Sequence, residues 1–327
     1  MFRKTIGLVG AGYWGKNLVR VFSELGVLKT ICDLDKKVLG ERKKEHPNLK
    51  TTTDFSEILK DKEIKGVVIA TPAATHYQLA KKALEGGKDV LVEKPLVLNV
   101  KEGNELVKLA QKKKLILMVG HQYFYNPAIL KIKELIKKGE LGEIEYIFSR
   151  RVKFGIFRKV ENVFWSFAPH DISTIIDILG MPKEVIAVGK SYLQKNIQDF
   201  VLSSFKFNNN KAGHIFTSWL SPVKEQKITI IGSKKMLVLN DADKILTLHP
   251  YQIERNKNLA PKAKNIGEKV IKFSSKEPLK EEAKHFLDCI KKRKKPETDG
   301  AEAIRVLKVL NACQKSINQN GKKILVS

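Results

Sequence analysis

The sequence predicts an α/β chain: a doubly wound parallel sheet first, then an α+β region with an open, largely antiparallel sheet. Three observations predict it. Residues 4 to 120 alternate short apolar runs with helical stretches, and the runs are apolar on both sides, as strands covered on two faces are. The pattern G-x-G-x-x-G stands between the first run and the first helix. Beyond residue 120 strand-like segments follow one another, and several alternate in polarity, as a sheet with one covered face does. With 327 residues, 43% of them hydrophobic, the chain is long for one core, and two domains are expected, at 1–121 and 122–327.

In chain order, the first apolar runs are "TIGLVG", "VLKTICD", "GVVIATP", "DVLVEKP" and "LILMVGH", with helices over roughly 14–25, 36–45, 54–60, 75–86 and 100–113 between them. A helix then spans "NPAILKIKELIKKGELGE", closed by glycine. After "IEYIFSRRVKF" a helix is expected near 169–179, where Ile172, Ile175, Ile176 and Leu179 form one core-facing stripe. The segments "EVIAVGKSYL", "DFVLSSFKF", "KAGHIFTSWL", "QKITIIGSK" and "MLVLND" read as strands. They supply more strand than the remaining helices can cover, so an apolar sheet face containing residues such as Ile215 or Phe216 is expected to join copies into a dimer or tetramer. Residues 252–278 are polar and poorly periodic, and a long mobile loop or lid is expected there. Two helices, about 279–292 and 300–319, end the chain.

Composition narrows the possible partners. Lys and Arg number 61 against 35 acidic residues, a formal net charge of +26. Such a surplus suggests an anionic partner. Yet only nine of the 61 are Arg, the lysines are spread over nearly every predicted helix, and "KKRKK" at 291–295 is a short run. Proteins that read bases cluster their charge and use Arg. A solvated lysine surface is therefore expected rather than a nucleic-acid site, with part of the charge attracting an anionic substrate. No run approaches ~20 unbroken apolar residues, so no membrane span is expected. The start "MFRKTIGLVG" enters a strand pattern with no cleavable apolar segment. Cys32, Cys289 and Cys313 lie far apart without metal-ligand spacing, and they read as reduced thiols of a cytoplasmic protein that carries no metal.

In "GLVGAGYWGKNLVRVF", Gly10 suits the tight turn. Gly12 lets backbone approach a pyrophosphate, and Gly15 lets the helix pack close to the sheet with its N-terminus toward the phosphates. The second strand ends in "TICDLD", which puts Asp33 where an acid would hold a ribose 2′-hydroxyl. A carboxylate repels a 2′-phosphate and no Arg follows it directly. NAD is therefore expected over NADP, with Lys36 and Lys37 as the opposing signal. Three later strands end in polar residues, "VVIATPAATHYQLA", "VLVEKP" and "MVGHQYFYNP", at the edge where open α/β sheets bind ligands.

The ordered set "GAGYWG", "ATPAATH", "EKP", "GHQYFYNPA" and "APHDISTIIDILG" resembles the Gfo/Idh/MocA oxidoreductase family over nearly the whole chain. The resemblance implies a Rossmann domain followed by a domain with an open sheet, and nicotinamide-dependent chemistry on a sugar or cyclitol hydroxyl. It implies cofactor contacts from Gly10, Gly12, Tyr13, Trp14 and Gly15, from Asp33, from Thr71, Pro72 and His76, and from Glu93, Lys94 and Gln122. Lys94 matches the catalytic lysine of the EKP motif, whose ammonium would steady developing negative charge on the reacting oxygen. His170 matches the acid/base histidine. Just after Pro169 it is expected in a first helical turn, where the helix N-terminus disfavours imidazolium and adjacent Asp171 pulls the other way. Many relatives carry a carboxylate four residues earlier, where this chain has Ser166, which could hydrogen-bond a substrate hydroxyl or cap the helix. A lysine–aspartate–histidine arrangement is therefore not carried over, and simple inositol becomes a poorer substrate.

The segments "FWSFAPHDIS", "SWLSP" and "ITIIGSKKMLVLND" look closer to the branch acting on nucleotide-activated sugars. That branch implies oxidation of the 3-hydroxyl of a UDP-N-acetylated hexose or hexuronic acid, with Lys153, Arg158, His121, Gln122, Tyr123 and Asn126 as candidate contacts beside Lys94, Ser166 and His170. A free sugar or cyclitol dehydrogenase and a 3-ketosugar reductase are the alternatives within the fold. A non-catalytic NAD sensor is the alternative outside enzymology, and a pure binder would need neither Lys94 nor His170.

Overall fold

The computed structural model describes residues 4–155, 157–254 and 260–326. The chain forms two compact units. One holds residues up to Tyr125 together with Lys276–Leu307; the other holds Asn126–Ser275 and the residues from Lys308 onward.

The first unit begins with β1 (Ile6–Val9), α1 (Gly15–Glu24), β2 (Leu28–Cys32), α2 (Lys36–Glu45), β3 (Lys50–Thr52), α3 (Phe55–Lys60), β4 (Gly66–Ile69), α4 (His76–Glu85), β5 (Asp89–Glu93), α5 (Val100–Lys113) and β6 (Leu117–Gly120). All neighbouring strands are parallel, in the order β3-β2-β1-β4-β5-β6. Every residue of β1, β4, β5 and β6 is buried, as the two-sided apolar runs require. Asp35, Asp54 and Asn99 cap α2, α3 and α5 by accepting N–H bonds from Lys37, Ser56 and Lys101. The five helices fall within one residue of expectation. β3 was not among the expected apolar runs because its three residues, Lys-Thr-Thr, carry no hydrophobic signal.

The second unit contains α6 (Pro127–Lys137), β7 (Ile144–Val152), α7 (Val163–Leu179), β8 (Glu184–Lys190), β9 (Phe200–Lys206), β10 (Ala212–Ser218), β11 (Glu225–Gly232), β12 (Lys235–Asn240), β13 (Ile245–Glu254), β14 (Lys262–Asn265) and β15 (Lys269–Val270). Two helices follow, α8 (Pro278–Lys292) and α9 (Gly300–Asn318), and the short β16 (Ile324–Leu325) pairs with β8. The sheet order is β14-β13-β12-β11-β7-β10-β9-β8-β16, with β15 on β13, and β7 with β10 is its parallel pair.

Three expectations change here. α7 starts at Val163, not near 169: Asn162 accepts from the N–H groups of Phe164 and Trp165, and Pro169 lies inside the helix. Proline was read as a helix start, but the cap seven residues upstream sets it. The polar stretch 252–278 is not wholly loop. Glu254 still belongs to β13, and β14 and β15 pair with that strand, since backbone ladders need no apolar periodicity; residues 255–259 lie outside the described residues. Finally, the segment 276–307 joins the first unit rather than the second. Leu279, Ala283, Phe286 and Cys289 of α8 enter the core formed by Ile6, Leu8, Phe22 and Ile31.

In the second unit α7 packs on β7, β9 and β10, burying Ile172, Ile175 and Ile176. The covered sheet face carries Ile147, Val185, Val201, Phe205 and Ile215; Ile215 is 0% exposed, so it faces the core and not the open side. The opposite face shows Tyr146, Phe148, Ile186, Val188 and Leu202 to solvent. Phe216 is on that face, half-buried, paired across strands with Arg150 and Leu202. The "KKRKK" run is largely committed to the first unit. Lys292 and Lys294 pair with Asp288, Arg293 bonds Asp89 and the carbonyl of Lys114, and Lys295 pairs with Asp299. Among the described residues no helix is long and apolar enough to cross a membrane, and Cys32, Cys289 and Cys313 are free and buried.

One buried acid in α8 has a thermodynamic consequence. Glu282 is 1% exposed, and neither carboxyl oxygen has a hydrogen-bond partner among the described residues. Burial first, and the charge of Glu93 second, raise its carboxyl well above the usual value of 4.5. Below about pH 4.5 folded and unfolded chains are both protonated and no penalty exists. Above it the unfolded chain ionises first, so stability falls with rising pH by up to ~1.4 kcal/mol per unit until the folded-state value is passed. Glu282→Gln cannot ionise. Its melting temperature is expected to match that of the parent near about pH 4.5 and to exceed it increasingly toward neutrality; scanning calorimetry across that range checks this, and a difference that does not vary with pH refutes it.

Candidate functional site

The carboxyl ends of β1, β2, β4, β5 and β6 form one edge of the first unit, and the glycine motif occupies its centre. Gly10 has φ +88°, and a Cβ there would lie 2.7 Å from the backbone of Ala70 at the end of β4. A Cβ on Gly15 would lie 1.8 Å from the carbonyl oxygen of Gly10. A Cβ on Gly12 would meet nothing within 4 Å. The loop is thus closed against the sheet at Gly10 and Gly15 and open at Gly12, the shape a pyrophosphate cradle needs. The residue preceding α1, Trp14, supplies no side-chain cap, and the N–H groups of Lys16 and Asn17 donate to the carbonyls of Gly12 and Trp14. Asp33 accepts from the N–H of Ala11 at 2.7 Å and of Asp35 at 2.9 Å, which ties the glycine loop to the end of β2. A carboxylate has about four acceptor positions. Those left over fit a ribose diol, and the residues present therefore fit a dinucleotide.

Tyr13 is exposed, while the indole N–H of Trp14 donates to Glu93 Oε1 at 2.7 Å. Glu93 Oε2 accepts from the N–H of Lys94 at 3.3 Å. Glu93 is 8% exposed, and burial raises its carboxyl above the usual range against the opposing pull of Trp14 and Lys94. Gly120 makes room for it, since a Cβ there would lie 2.9 Å from Glu93 Oε2. Glu93 therefore supports the loop and the lysine from below. Lys94 is half-buried at the end of β5, and its peptide bond to Pro95 is cis.

Thr71 and exposed Pro72 follow β4, with Thr71 Oγ1 accepting from Thr75 Oγ1 at 2.7 Å. His76, expected at the cofactor, is 1% exposed and has both ring nitrogens on backbone carbonyls, Pro95 and Thr71, each at 2.8 Å. It has no polar atom to offer a ligand. Burial lowers its pKa most; the two carbonyls oppose this and the charge of Lys94 adds to it. His121 is likewise buried, with Nδ1 2.6 Å from Glu302 Oε2. Gln122 is half-exposed and Tyr123 is buried in the turn that follows β6.

In the second unit Ser166 and His170 stand one turn apart on α7. Ser166 is buried within the helix, and Asn162 performs the capping expected of it. His170 is half-exposed in the third turn, so the helix N-terminus does not act on it as expected. Its carbonyl accepts from Ser173 Oγ and Thr174 Oγ1. Adjacent Asp171 is 0% exposed and bound by Arg151 Nε at 2.7 Å, Arg151 NH2 at 3.1 Å and Ser149 Oγ at 2.7 Å. Its charge is thus committed to β7 rather than to His170. Arg151 and Ser149 were not singled out from sequence; their signal was a charged side chain at an inward-facing position of a strand. Asn126 is buried, caps α6 through Ala128 N–H and donates to Asp241 Oδ1 at 3.1 Å. Lys153 and Arg158 lie exposed between β7 and α7, Arg158 3.6 Å from Glu161. Among the described residues no group of His, Cys, Asp and Glu could hold a metal ion.

Comparison with known proteins agrees with this geometry. Residues 4–121 match the family described as "Oxidoreductase family, NAD-binding Rossmann fold", and residues 129–238 match the "GFO/IDH/MocA C-terminal domain". The chain is 31% identical over 192 residues to the uncharacterized oxidoreductase YhhX of Escherichia coli, 56% of this chain and 55% of that protein. It thus spans about half the length of that relative. It is 23% identical over 309 residues to UDP-N-acetylglucosamine 3-dehydrogenase of Acidithiobacillus ferrooxidans, 94% of this chain and 95% of that one. The structure of that enzyme superposes with TM-score 0.85, covering 98% and 99% of the two chains at 20% identity. Levoglucosan dehydrogenase in complex with NADH superposes with TM-score 0.86, covering 99% of each chain at 18% identity. The two domain matches and the glycine loop, Asp33 and Lys94 that they contain place this chain in the Gfo/Idh/MocA oxidoreductase family.

Proposed function

We propose that the protein oxidises a sugar hydroxyl with NAD, the 3-hydroxyl of a UDP-N-acetylated hexose or hexuronic acid, giving a 3-keto sugar. The observation that carries this reading is Lys94, a half-buried lysine at the strand edge that also holds the open glycine cradle and Asp33. Bound NAD supplies the hydride acceptor. Gly12 and the first turn of α1 hold its pyrophosphate, and Asp33 holds its adenosine ribose. Lys94 donates a hydrogen bond to the substrate oxygen, and His170 takes the hydroxyl proton as hydride leaves the carbon. Uncharged Ser166 fits a substrate that brings its own negative charge. The match over 94% of the chain to a UDP-N-acetylglucosamine 3-dehydrogenase supports the nucleotide sugar. The fold shared with levoglucosan dehydrogenase keeps free sugars as the second reading. Three free, buried cysteines fit a cytoplasmic setting. A panel of UDP-N-acetylglucosamine, its uronic acid and free sugars, followed by NADH absorbance with a 2-oxoacid as added acceptor, tests the assignment; reduction of NAD by free sugars alone transfers it to the second reading.

NAD is expected to bind and NADP to bind poorly, because the Asp33 carboxylate at the end of β2 would repel a 2′-phosphate on the ribose it holds. Calorimetric titration of both decides it, and equal or tighter binding of NADP defeats the claim.

Lys94→Ala and His170→Ala are each expected to lower turnover by roughly 10²–10⁴-fold while leaving NAD affinity nearly intact. Near-normal turnover in His170→Ala would remove histidine from the mechanism.

A homo-oligomer joined through the open face of the second unit's sheet is also part of the proposal. Tyr146, Phe148, Ile186, Val188 and Leu202 are exposed there, and Phe216 lies among them. Light scattering at moderate salt is expected to give a multiple of 37.0 kDa, and Leu202→Glu to shift it toward one chain. A single-chain mass for the parent across a wide concentration range eliminates the interface.

A further inference from the structure

His76 has no direct use in the reaction proposed above, yet it is one of the most fully engaged side chains at the carboxyl edge. It opens α4, and its ring is 1% exposed. Nδ1 lies 2.8 Å from the carbonyl oxygen of Pro95, the residue after Lys94, and Nε2 lies 2.8 Å from that of Thr71 at the end of β4. The end of β4 is also the wall behind the glycine turn, where a Cβ on Gly10 would lie 2.7 Å from Ala70 and 2.8 Å from Thr71. One ring therefore connects the wall of the cofactor cradle to the loop that carries the lysine.

The burial of that loop explains why such a connection exists. Pro95, Leu96 and Val97 are all buried, although they lie between β5 and α5. A buried carbonyl needs a donor, and proline supplies no N–H of its own for the turn. A neutral imidazole has one N–H and donates it to one of the two carbonyls; donating to both requires the protonated ring. Either way the ring fills a fixed gap between two backbone segments that would otherwise be set only by apolar packing.

We propose that His76 is a positioning residue for Lys94: it fastens the peptide following Lys94 to the end of β4 and so fixes where the ammonium stands relative to the glycine cradle. The proposal rests on the reading of Lys94 as the group that steadies the reacting oxygen. It assigns no proton transfer and no ligand contact to His76. A displacement of about 1 Å in a reacting group can cost roughly a hundredfold in rate, so the expected effect lies in turnover rather than in cofactor binding.

The test compares the parent, His76→Ala, His76→Gln, Lys94→Ala and the His76→Ala/Lys94→Ala double variant, with NAD and UDP-N-acetylglucosamine as substrates. His76→Ala is expected to lower kcat by about tenfold to a hundredfold, with NAD affinity by titration within about threefold of the parent. Added imidazole, which fits the vacated space, is expected to restore part of the rate. His76→Gln, which keeps a polar end, is expected to fall between the two and stands in for the alanine variant should that one not fold. In the Lys94→Ala background the same His76→Ala change is expected to cost little more, because a positioning residue has nothing left to position. Additive losses in the double variant, or NAD affinity falling in step with kcat, overturn the proposal in favour of a general structural role. Near-parent turnover in Lys94→Ala instead sinks the reading of the lysine. A crystal structure of His76→Ala reports on the positioning even if UDP-N-acetylglucosamine is not turned over: residues 94–97 displaced from the end of β4 support it, and an unmoved loop overturns it.

Discussion

The first unit depends on how closely its backbone approaches itself at the carboxyl edge. A side chain at Gly15 would stand 1.8 Å from the carbonyl of Gly10, and one at Gly10 would enter the end of β4. Only because both positions lack a Cβ can α1 begin directly over the sheet. The other features follow from that placement. Ala11 comes within 2.7 Å of Asp33, and Trp14, one residue before α1, reaches down to Glu93. The cradle, the acid that would hold the ribose and the strand end bearing Lys94 are thereby set by a few short backbone distances.

Beneath that edge lies an unusual amount of buried ionisable chemistry. Glu93 is held by an indole and a backbone N–H, His121 by Glu302, and Glu282 by no hydrogen bond among the described residues. A buried acid without a partner is costly when charged and tolerable when protonated. The rises at Glu93 and Glu282 share one first cause, burial, and the charge of Glu93 adds to the rise at Glu282. The second unit handles the same problem differently. Asp171 is fully buried but meets a bidentate Arg151 and a serine, so it is paired where Glu282 has no hydrogen-bond partner among the described residues. Removing one partner of such a pair costs roughly 3–5 kcal/mol, because the other charge is stranded. Asp171 and Arg151 therefore anchor α7 to β7 directly beside His170.

The surface divides between charge and apolar sheet. Many lysines that drive the net charge to +26 are committed to local acids, as in the α8–α9 connection where Asp288 serves two of them. Exposed pairs of this kind contribute little stability each; their effect is to keep the run folded onto the molecule rather than extended as a basic arm. The large apolar area of the second unit is on the uncovered face of its sheet, where Phe216 sits between Arg150 and Leu202. Strands of period two present a second face wherever helices cover only one.

What the sequence determined by itself is local. The helices of the parallel unit are legible from their 3.6-residue pattern, three of them also from a capping Asp or Asn, and the buried strands from runs apolar on both sides. The glycine turn and Asp33 are legible because their spacing is set by one strand-turn-helix-strand unit. Lys94 and His170 were found through ordered motifs, and the domain matches agree with the family those motifs indicated. Tertiary structure decided what depends on distant partners. Lys-Thr-Thr becomes β3 because β2 offers it a ladder. Residues 262–265 become β14 because β13 is open beside them. The helix bearing His170 starts at Val163 behind its cap Asn162, and this moves the histidine away from the N-terminal field that a start at Pro169 would have provided. Period two placed Ile215 and Phe216 on opposite faces but could not say which face α7 would cover. His76, His121 and Asn126 looked like ligand contacts because they stand in polar segments at strand ends. A distant carbonyl holds His76, and distant carboxylates hold Nδ1 of His121 and the amide of Asn126; no local pattern records a hydrogen bond made across 19, 181 or 115 residues.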